Sequence, residues 1–283
     1  MPQQTRRSFL GTAAVAAVGL ACGRRSLGAL DTAGANKISR IGIQLYTLRQ
    51  AASADLAGTL ARLAKIGYKQ LEFAGYYNHP ASEVRALLDQ NGLTAPSAHV
   101  GLNLIESAAD KTFADAKVVG HEWITVPSLP SGKHETVDDW KRVASQFNAA
   151  ATKAKAAGFR FAFHNHNDII RKTGDVLPID ILMKETDPAL VSYEMDIYWV
   201  VNGGADPLEL LARYPGRFKM FHVKDAMPGP EHRMADVGAG SIDFKTIFAR
   251  ARGIEHYFVE HDQPADPFAS AAASFSYLSK LEF

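Results

Sequence analysis

A single cysteine, Cys22, occurs among the 283 residues, so the chain cannot form an intrachain disulfide. A surplus of charge of one sign is also lacking, because 31 Lys and Arg face 30 Asp and Glu. Without a basic surplus there is no general attraction for a phosphate backbone, and we expect no nucleic-acid partner. Hydrophobic residues make up 47% of the chain, which excludes disordered and collagen-like chains and is typical of a globular protein.

Long hydrophobic runs are lacking as well. A transmembrane helix needs about twenty consecutive apolar residues, and the apolar segment 9–21 is shorter than that. It directly follows Arg6 and Arg7, and paired arginines before a short apolar segment resemble a twin-arginine export signal. We therefore predict that residues 1–35 are a signal segment and linker, that the protein is periplasmic or otherwise exported, and that the mature chain has no transmembrane segment.

The position of Cys22 leaves two ways of processing this segment. Cys22 ends the stretch Gly19-Leu20-Ala21-Cys22, which looks like a lipoprotein cleavage site, although Gly stands where Leu or Val is usual. Cleavage near Ala33-Gly34-Ala35 is the favoured prediction, and a lipidated Cys22 is the alternative. The length of the remaining domain, 36–283, is close to the ~250 residues that are typical of one (β/α)₈ barrel.

Short apolar runs alternate with segments of helical periodicity along this domain. The predicted strands are 40–46, 70–73, 95–100, 123–126, 159–164, 191–196, 218–223 and 256–260, and the predicted helices are 55–66, 81–91, 108–118, 137–157, 177–185, 207–214, 242–251 and 267–281. Eight such pairs favour a single α/β domain, a parallel eight-stranded (β/α)₈ TIM barrel, over an open sheet. No Gly-x-Gly-x-x-Gly pattern follows the first strand, which argues against a nicotinamide cofactor.

Active sites of such barrels lie at the carboxyl ends of the strands, and here those ends are polar. They carry Glu72, His99, His164, His166, Glu194, Asp196, His222, Lys224, Asp225, Glu260 and His261. Because side chains alternate along a strand, His164, Asp196, His222 and Glu260 can converge at the barrel mouth. Two imidazoles and two carboxylates suit one divalent Mn, Fe, Co, Ni or Zn ion better than Mg or Ca, although a lone strand His is more often a hydrogen-bonded core residue.

Four segments carry a family resemblance. They are Phe163-His164-Asn165-His166, Met195-Asp196-Ile197-Tyr198-Trp199 with Gly204-Ala205-Asp206-Pro207, Phe221-His222-Val223-Lys224-Asp225, and Val259-Glu260-His261-Asp262. In this order they resemble the xylose-isomerase-like barrel superfamily, and within it the sugar phosphate isomerase/epimerase branch. The resemblance implies a divalent metal held at the ends of strands five to eight, by His164, Asp196, His222 and Glu260.

Two positions depart from the pattern of that branch. His164 stands where many relatives have Glu, and in those epimerases the two Glu ligands also move protons on opposite faces of the substrate. The loss of one Glu puts a symmetric two-carboxylate mechanism in doubt. Ala239, in Val237-Gly238-Ala239-Gly240, stands where many relatives have another Glu.

The chemistry expected of such a site is proton abstraction next to a carbonyl, with the metal as a Lewis acid. Three residues are candidate bases: Glu260, His166 and Lys224, whose pKa the metal and burial could lower. The alternatives are a surface role for His166 and a salt bridge to Glu194 or Asp225 for Lys224. Glu72 and His99 are candidate partners for sugar hydroxyls, and Trp199 is a candidate platform for a sugar ring.

Sugar phosphates are cytoplasmic metabolites, so an exported enzyme is expected to act on an unphosphorylated sugar or keto-glycoside. Isomerisation or epimerisation is the leading hypothesis, and elimination from a keto-glycoside by the same enolisation is the alternative. A non-catalytic periplasmic sugar-binding or accessory protein is a third hypothesis, and hydrolysis of abasic DNA is disfavoured by the neutral charge. The expected partners are a small sugar substrate and either a second copy of the chain or a sugar oxidoreductase.

Overall fold

Eight parallel strands close into a barrel in the computed structural model, which describes residues 36–129 and 134–283. The barrel strands are β1 (Ile41–Gln44), β2 (Gln70–Phe73), β3 (Thr94–His99), β4 (Trp123–Val126), β5 (Arg160–His164), β6 (Val191–Asp196), β7 (Phe218–Val223) and β8 (His256–Val259). Each strand pairs with its sequence neighbours, and β8 closes the barrel by pairing with β1. The predicted (β/α)₈ fold is therefore confirmed. The predicted signal segment, 1–35, lies outside the described residues.

Eleven helices are found in the described ranges. They are α1 (Arg49–Ala54), α2 (Leu56–Ile66), α3 (Ala81–Asn91), α4 (Leu102–Ser107), α5 (Ala109–Val119), α6 (Val137–Ala156), α7 (Pro178–Glu185), α8 (Ile197–Asn202), α9 (Pro207–Arg213), α10 (Phe244–Arg250) and α11 (Pro267–Leu278). The eight predicted helices are all present, with ends shifted by a few residues. The sequence pattern missed α1, α4 and α8, because a helix of six residues is too short to establish a periodic pattern.

Local sequence explains where the helices begin and end. Thr136 caps α6 through a capping box with Asp139, and Asp55, Asp206 and Asp266 cap α2, α9 and α11 by accepting backbone N–H groups. Gly92 ends α3 in the left-handed conformation, at φ 61°, which glycine adopts without a steric penalty.

The barrel interior is built in layers. Trp123, Ala162, Met220 and Phe258 form an apolar cluster separate from the main core between strands and helices. Side chains on one face of a strand recur every second residue, so the next inward positions are Thr125, His164, His222 and Glu260. His164, His222 and Glu260 therefore point into the barrel, as the alternation of side chains predicts, and lie one layer above the apolar cluster.

No helix in the described part of the chain is both long enough and apolar enough to cross a bilayer.

The loop between β7 and α10 is held in place by hydrogen bonds to one carboxylate, that of Asp225. A short ribbon pairs Asp225–Ala226 with Met234–Ala235, and Asp225 accepts hydrogen bonds from the backbone amides of Gly238 and Gly240 at 2.9 and 3.0 Å. The amides of Ala226 and Ile242 donate to the same side chain. The backbone amides of the glycine-rich stretch 238–240 are thus already bonded to the protein's own Asp225.

Replacing Asp225 with Ala leaves four backbone N–H groups without their acceptor. We expect Asp225→Ala to lower the free energy of unfolding by about 3 kcal/mol, since each buried unsatisfied donor is costly. Urea unfolding followed by circular dichroism measures the change. Asp243→Ala, which removes only the cap that Asp243 provides to Thr246, should cost about 1 kcal/mol. Equal losses in the two variants would contradict the role of Asp225.

Candidate metal centre and adjoining cavity

The four predicted metal ligands converge at the carboxyl ends of β5, β6, β7 and β8. One ligand atom each from His164, Asp196, His222 and Glu260 lies within 4.8 Å of all the others, and all four residues are buried. His164 Nε2 is 3.4 Å from Asp196 Oδ2, and His222 Nδ1 is 2.9 Å from Glu260 Oε2. The strand register accounts for this convergence, because Asp196 on β6 is directly opposite His222 on β7.

Two buried atoms at the centre of this cluster lack a hydrogen bond of good geometry, His164 Nε2 and Asp196 Oδ2, although Asp196 Oδ2 also lies 3.1 Å from the ammonium of Lys224. The other polar atom of each side chain is engaged, because His164 Nδ1 lies 3.1 Å from the carbonyl of Pro127 and Asp196 Oδ1 accepts the amide of Trp199 at 2.9 Å. A nitrogen that donates to a carbonyl leaves the other ring nitrogen of a neutral His as a lone pair. The cluster therefore has an unpaired nitrogen lone pair on His164 facing a carboxylate oxygen of Asp196 that already pairs with one cation, the Lys224 ammonium, and this mixed nitrogen and oxygen set fits a divalent cation.

The charged groups at the barrel centre also favour a bound cation. Five carboxyl groups gather there, those of Glu72, Glu194, Asp196, Glu260 and Asp262, around one ammonium, Lys224, and the imidazoles of His99 and His222. Burial opposes a charge on His222, but Glu194, Glu260 and Glu72 outweigh it and raise its pKa well above the ordinary value. The carboxylates at the centre thus favour positive charge there, which fits a site for a cation.

Glu72 lies beneath the predicted ligands and has no exposed surface. Its Oε2 atom is 2.6 Å from His222 Nε2 and accepts the side-chain amide of Gln44 at 2.8 Å, while Oε1 accepts the hydroxyl of Ser97 at 2.5 Å. The expectation that Glu72 binds sugar hydroxyls is corrected by this position. Glu72 orients the ring of His222 from below, as carboxylates commonly do for metal-binding histidines.

Glu194 belongs to the same lower layer. His99 Nε2 lies 3.1 Å from Glu194 Oε2 and 3.2 Å from Glu72 Oε2, and the His99 ring stacks on His222 with centroids 5.2 Å apart. Ligand atoms of Glu72, His99, Glu194 and His222 form a second group within 4.8 Å. In this group each imidazole bridges two carboxylates, which fixes the rings of His99 and His222 beside the cavity.

Lys224 is buried among carboxylates, and its expected lowered pKa is wrong for this environment. Its Nζ is 2.8 Å from Glu260 Oε2, 2.8 Å from Asp262 Oδ1 and 3.1 Å from Asp196 Oδ2. Burial lowers the pKa of Lys224, but these three carboxylates outweigh burial and raise it well above the ordinary value. Lys224 is therefore a fixed ammonium that holds Glu260 ionised. The salt bridges expected to Glu194 or Asp225 are made instead to Asp196, Glu260 and Asp262.

A cavity of about 480 Å³ opens directly above the centre. It is lined by Tyr46, Ala74, Gly75, His99, Pro127, Ser128, His164, His166, Glu260 and Asp262. His166 is half-buried in its wall, and desolvation together with the nearby His164 lowers the pKa of His166 to about 3. The cavity thus offers a carboxylate, Glu260, and a neutral imidazole, His166, as groups that can move protons.

Tyr46 and Asp262 are among the six residues of this wall that sequence reasoning missed. Tyr46 lies two residues after Gln44, and Asp262 lies two residues after Glu260. The alternation of side chains, continued past the ends of the strands, could therefore have identified both. Trp199 is not among the lining residues. Its ring lies beside the wall residue His166, at 5.3 Å between centroids, and 5.5 Å from Lys224 Nζ, so Trp199 contacts a residue of the wall and does not itself form the floor that was expected.

Comparison with known proteins agrees with this geometry. Residues 60–280 match the xylose isomerase-like TIM barrel family. The chain belongs to that family.

Individual members of the family extend the comparison. An inosose dehydratase of Lacticaseibacillus casei is 29% identical over 255 residues, which covers 75% of this chain and 85% of that protein. The structure of a sugar phosphate isomerase/epimerase from Parabacteroides distasonis is 30% identical with a TM-score of 0.75, covering 87% of this chain and 98% of that one. The zinc-bound IolI protein, 13% identical with a TM-score of 0.67 and covering 86% of this chain and 99% of its own, shares the fold.

Metal content tests the centre directly. Wild-type protein, purified without a metal-affinity tag, should contain about one divalent transition-metal ion per chain by elemental mass spectrometry. Asp196→Asn removes a carboxylate ligand and should abolish retention of the ion. Glu72→Gln keeps all four ligands but weakens the support of His222, and should weaken metal affinity about 10- to 100-fold by titration calorimetry.

Asp206→Asn is the matched control, because Asp206 also accepts a backbone N–H at a helix N-terminus but lies outside the centre. This variant should bind metal like the wild type. A folded Asp196→Asn protein that retains the ion, or a wild-type protein that takes up no metal on reconstitution, would overturn the assignment.

Proposed function

We propose that the protein is a divalent-metal-dependent enzyme that removes a proton next to the carbonyl of an unphosphorylated keto sugar or keto-glycoside. The observation that carries this proposal is the buried Nε2 atom of His164, which lacks a hydrogen-bond partner and faces Asp196 Oδ2 at 3.4 Å beside a cavity into which Glu260 faces. His164, Asp196, His222 and Glu260 would hold the ion. When bound there, it would supply Lewis acidity that stabilises negative charge on the oxygen of an enolised carbonyl.

Glu260 is the proposed base. Burial opposes its charge, but Lys224 and His222 outweigh burial and lower the pKa of Glu260 well below the ordinary value. An ionised carboxylate in the cavity wall can accept a proton from a carbon that the other residues orient, provided that it comes within hydrogen-bond reach. Lys224, held at 2.8 Å from Glu260 Oε2, positions that carboxylate.

His166 is the second group that can move a proton. It is neutral at ordinary pH because of its lowered pKa, and its ring lies 4.8 Å from that of His164 at the cavity wall. A carboxylate and an imidazole are unequal partners, whereas epimerisation by two carboxylates is symmetric. The unequal pair favours elimination, in which one group removes the proton and another assists the leaving oxygen.

The relatives support both outcomes of enolisation. The name inosose dehydratase denotes loss of water from the substrate of that protein, which is an elimination. The Parabacteroides distasonis structure is described as a sugar phosphate isomerase/epimerase, and this favours return of the proton to carbon as the second candidate reaction. Both reactions begin with the same abstraction by Glu260.

An unphosphorylated substrate is supported by the loop after β7. The amides of Gly238 and Gly240, which would be the natural anion-binding groups, are bonded to Asp225. No other glycine-rich nest was found in the sequence after strands seven and eight. The proposed export signal with Arg6 and Arg7 agrees with this, because sugar phosphates are cytoplasmic.

Exchange in heavy water tests the enzymatic proposal. Metal-loaded protein should incorporate deuterium next to the carbonyl of a keto sugar, detected by NMR, or release the leaving group of a methyl keto-glycoside. Glu260→Gln should lower either rate about 10²- to 10⁴-fold, the usual contribution of a general base. The exposed Glu209→Gln variant is the control and should leave the rate unchanged.

The ratio of products separates the two candidate reactions. Deuterium incorporation without loss of the leaving group would assign isomerase or epimerase chemistry, and loss of the leaving group would assign a lyase. Metal-loaded protein that binds keto sugars but neither exchanges nor eliminates would reject the enzymatic proposal in favour of a sugar-binding protein.

Export is tested separately by cell fractionation. In a bacterial host with a twin-arginine pathway, replacing both Arg6 and Arg7 with Lys should retain the protein in the cytoplasm. The same change at Arg24 and Arg25, the second arginine pair, should leave export intact. Equal export of all three proteins would contradict the proposed signal.

A further inference from the structure

A second cavity, of about 780 Å³, adjoins the one above the metal centre. It lies at the carboxyl ends of β3 and β4, between the start of helix α4, the loop at 127–129 and helix α6. Pro127 and Ser128 line both cavities. Pro127 is half-buried and Ser128 exposed, and these two residues lie where the two cavities meet.

The combined size exceeds what a single sugar ring requires. Small-molecule sites typically have volumes of about 300 to 1,000 Å³, and the cavity of about 480 Å³ over the centre is already within this range. A free ketose bound at His164, Asp196, His222 and Glu260 would leave the second cavity unused. An extended substrate would fill both.

The lining of the second cavity has mixed chemistry. Leu102 and Val143 are buried at its base, while Asn103 is exposed at its rim. Gln146 donates its side-chain amide to Glu106 at 3.0 Å, which leaves further donor and acceptor capacity on both side chains. Apolar surface next to amide and carboxylate groups matches a sugar ring, which has apolar C–H faces and peripheral hydroxyls.

We propose that the second cavity binds the leaving part of a glycoside, so that the substrate class is a keto-glycoside with a second sugar as its aglycone. This rests on the proposed function, because the first cavity must hold the keto ring. The carbonyl is then two carbons from the glycosidic carbon. Removal of the proton between them forms a carbon–carbon double bond as the bond to the aglycone oxygen breaks.

The step balances without any further reactant. Glu260 takes the proton from carbon and passes it, directly or through His166 in the same cavity wall, to the departing oxygen, so that Glu260 is restored and the products are an unsaturated keto sugar and a sugar with a free hydroxyl. Pro127 and Ser128 lie where the two product halves separate, since they are the residues common to both cavities.

Rates on substrates that differ only in the aglycone test this inference. The wild type should have a kcat/KM at least tenfold higher for a keto-disaccharide than for the methyl keto-glycoside with the same keto ring. Asn103→Trp or Gln146→Trp should fill the second cavity and lower kcat/KM for the keto-disaccharide at least tenfold. The same variants should change kcat/KM for the methyl keto-glycoside less than threefold.

Ser145→Trp is the matched control, because Ser145 is an exposed neighbour of Gln146 on α6 that does not line the cavity. It should behave as the wild type on both substrates, and circular dichroism should show that all variants are folded. Equal wild-type rates on both substrates, or variants that slow both equally, would overturn the aglycone site while leaving the proposed function intact. No turnover of either substrate by the metal-loaded wild type would instead indicate failure of the proposed function itself.

Discussion

The imidazole of His222 is held between two carboxylates, and the centre of the barrel depends on this contact. Its Nε2 faces Glu72 at 2.6 Å and its Nδ1 faces Glu260 at 2.9 Å, with no part of the ring exposed. Buried charges are tolerated only when they are paired and hydrogen-bonded, and removal of one partner costs about 3–5 kcal/mol. The contact therefore links a supporting layer, which keeps the ring in place, to a reactive layer at the cavity.

The barrel supplies the conditions for this contact through its layers. The apolar cluster of Trp123, Ala162, Met220 and Phe258 closes the lumen below the polar groups. Above it, charges interact more strongly than in water, because the surroundings are poorly polarisable. This is why Lys224 remains an ammonium despite complete burial, and why Glu260 remains a carboxylate in the cavity wall.

The site is asymmetric in two respects that bear on its chemistry. His164 replaces a carboxylate in the set of four, so that Glu260 is the one carboxylate among these four residues that also lines the cavity. A second, larger cavity also meets the first at Pro127 and Ser128. Two unequal proton-moving groups, the carboxylate of Glu260 and the imidazole of His166, with room for a leaving group beside them, suit elimination from a glycoside.

The sequence by itself determined the order of elements and the residues at the ends of the strands. Strands 70–73, 123–126, 191–196 and 218–223 were predicted with the bounds that the structure shows, because buried parallel strands are apolar runs bounded by turns. Alternation along each strand then identified His164, Asp196, His222 and Glu260. Only the tertiary structure decided the depth and the charge partners of each polar side chain. The roles of Glu72, Lys224 and Asp262 follow from the register between strands, such as His164 opposite Glu194, and from loops that meet across the mouth. These contacts join residues far apart in the chain, so no local pattern records them.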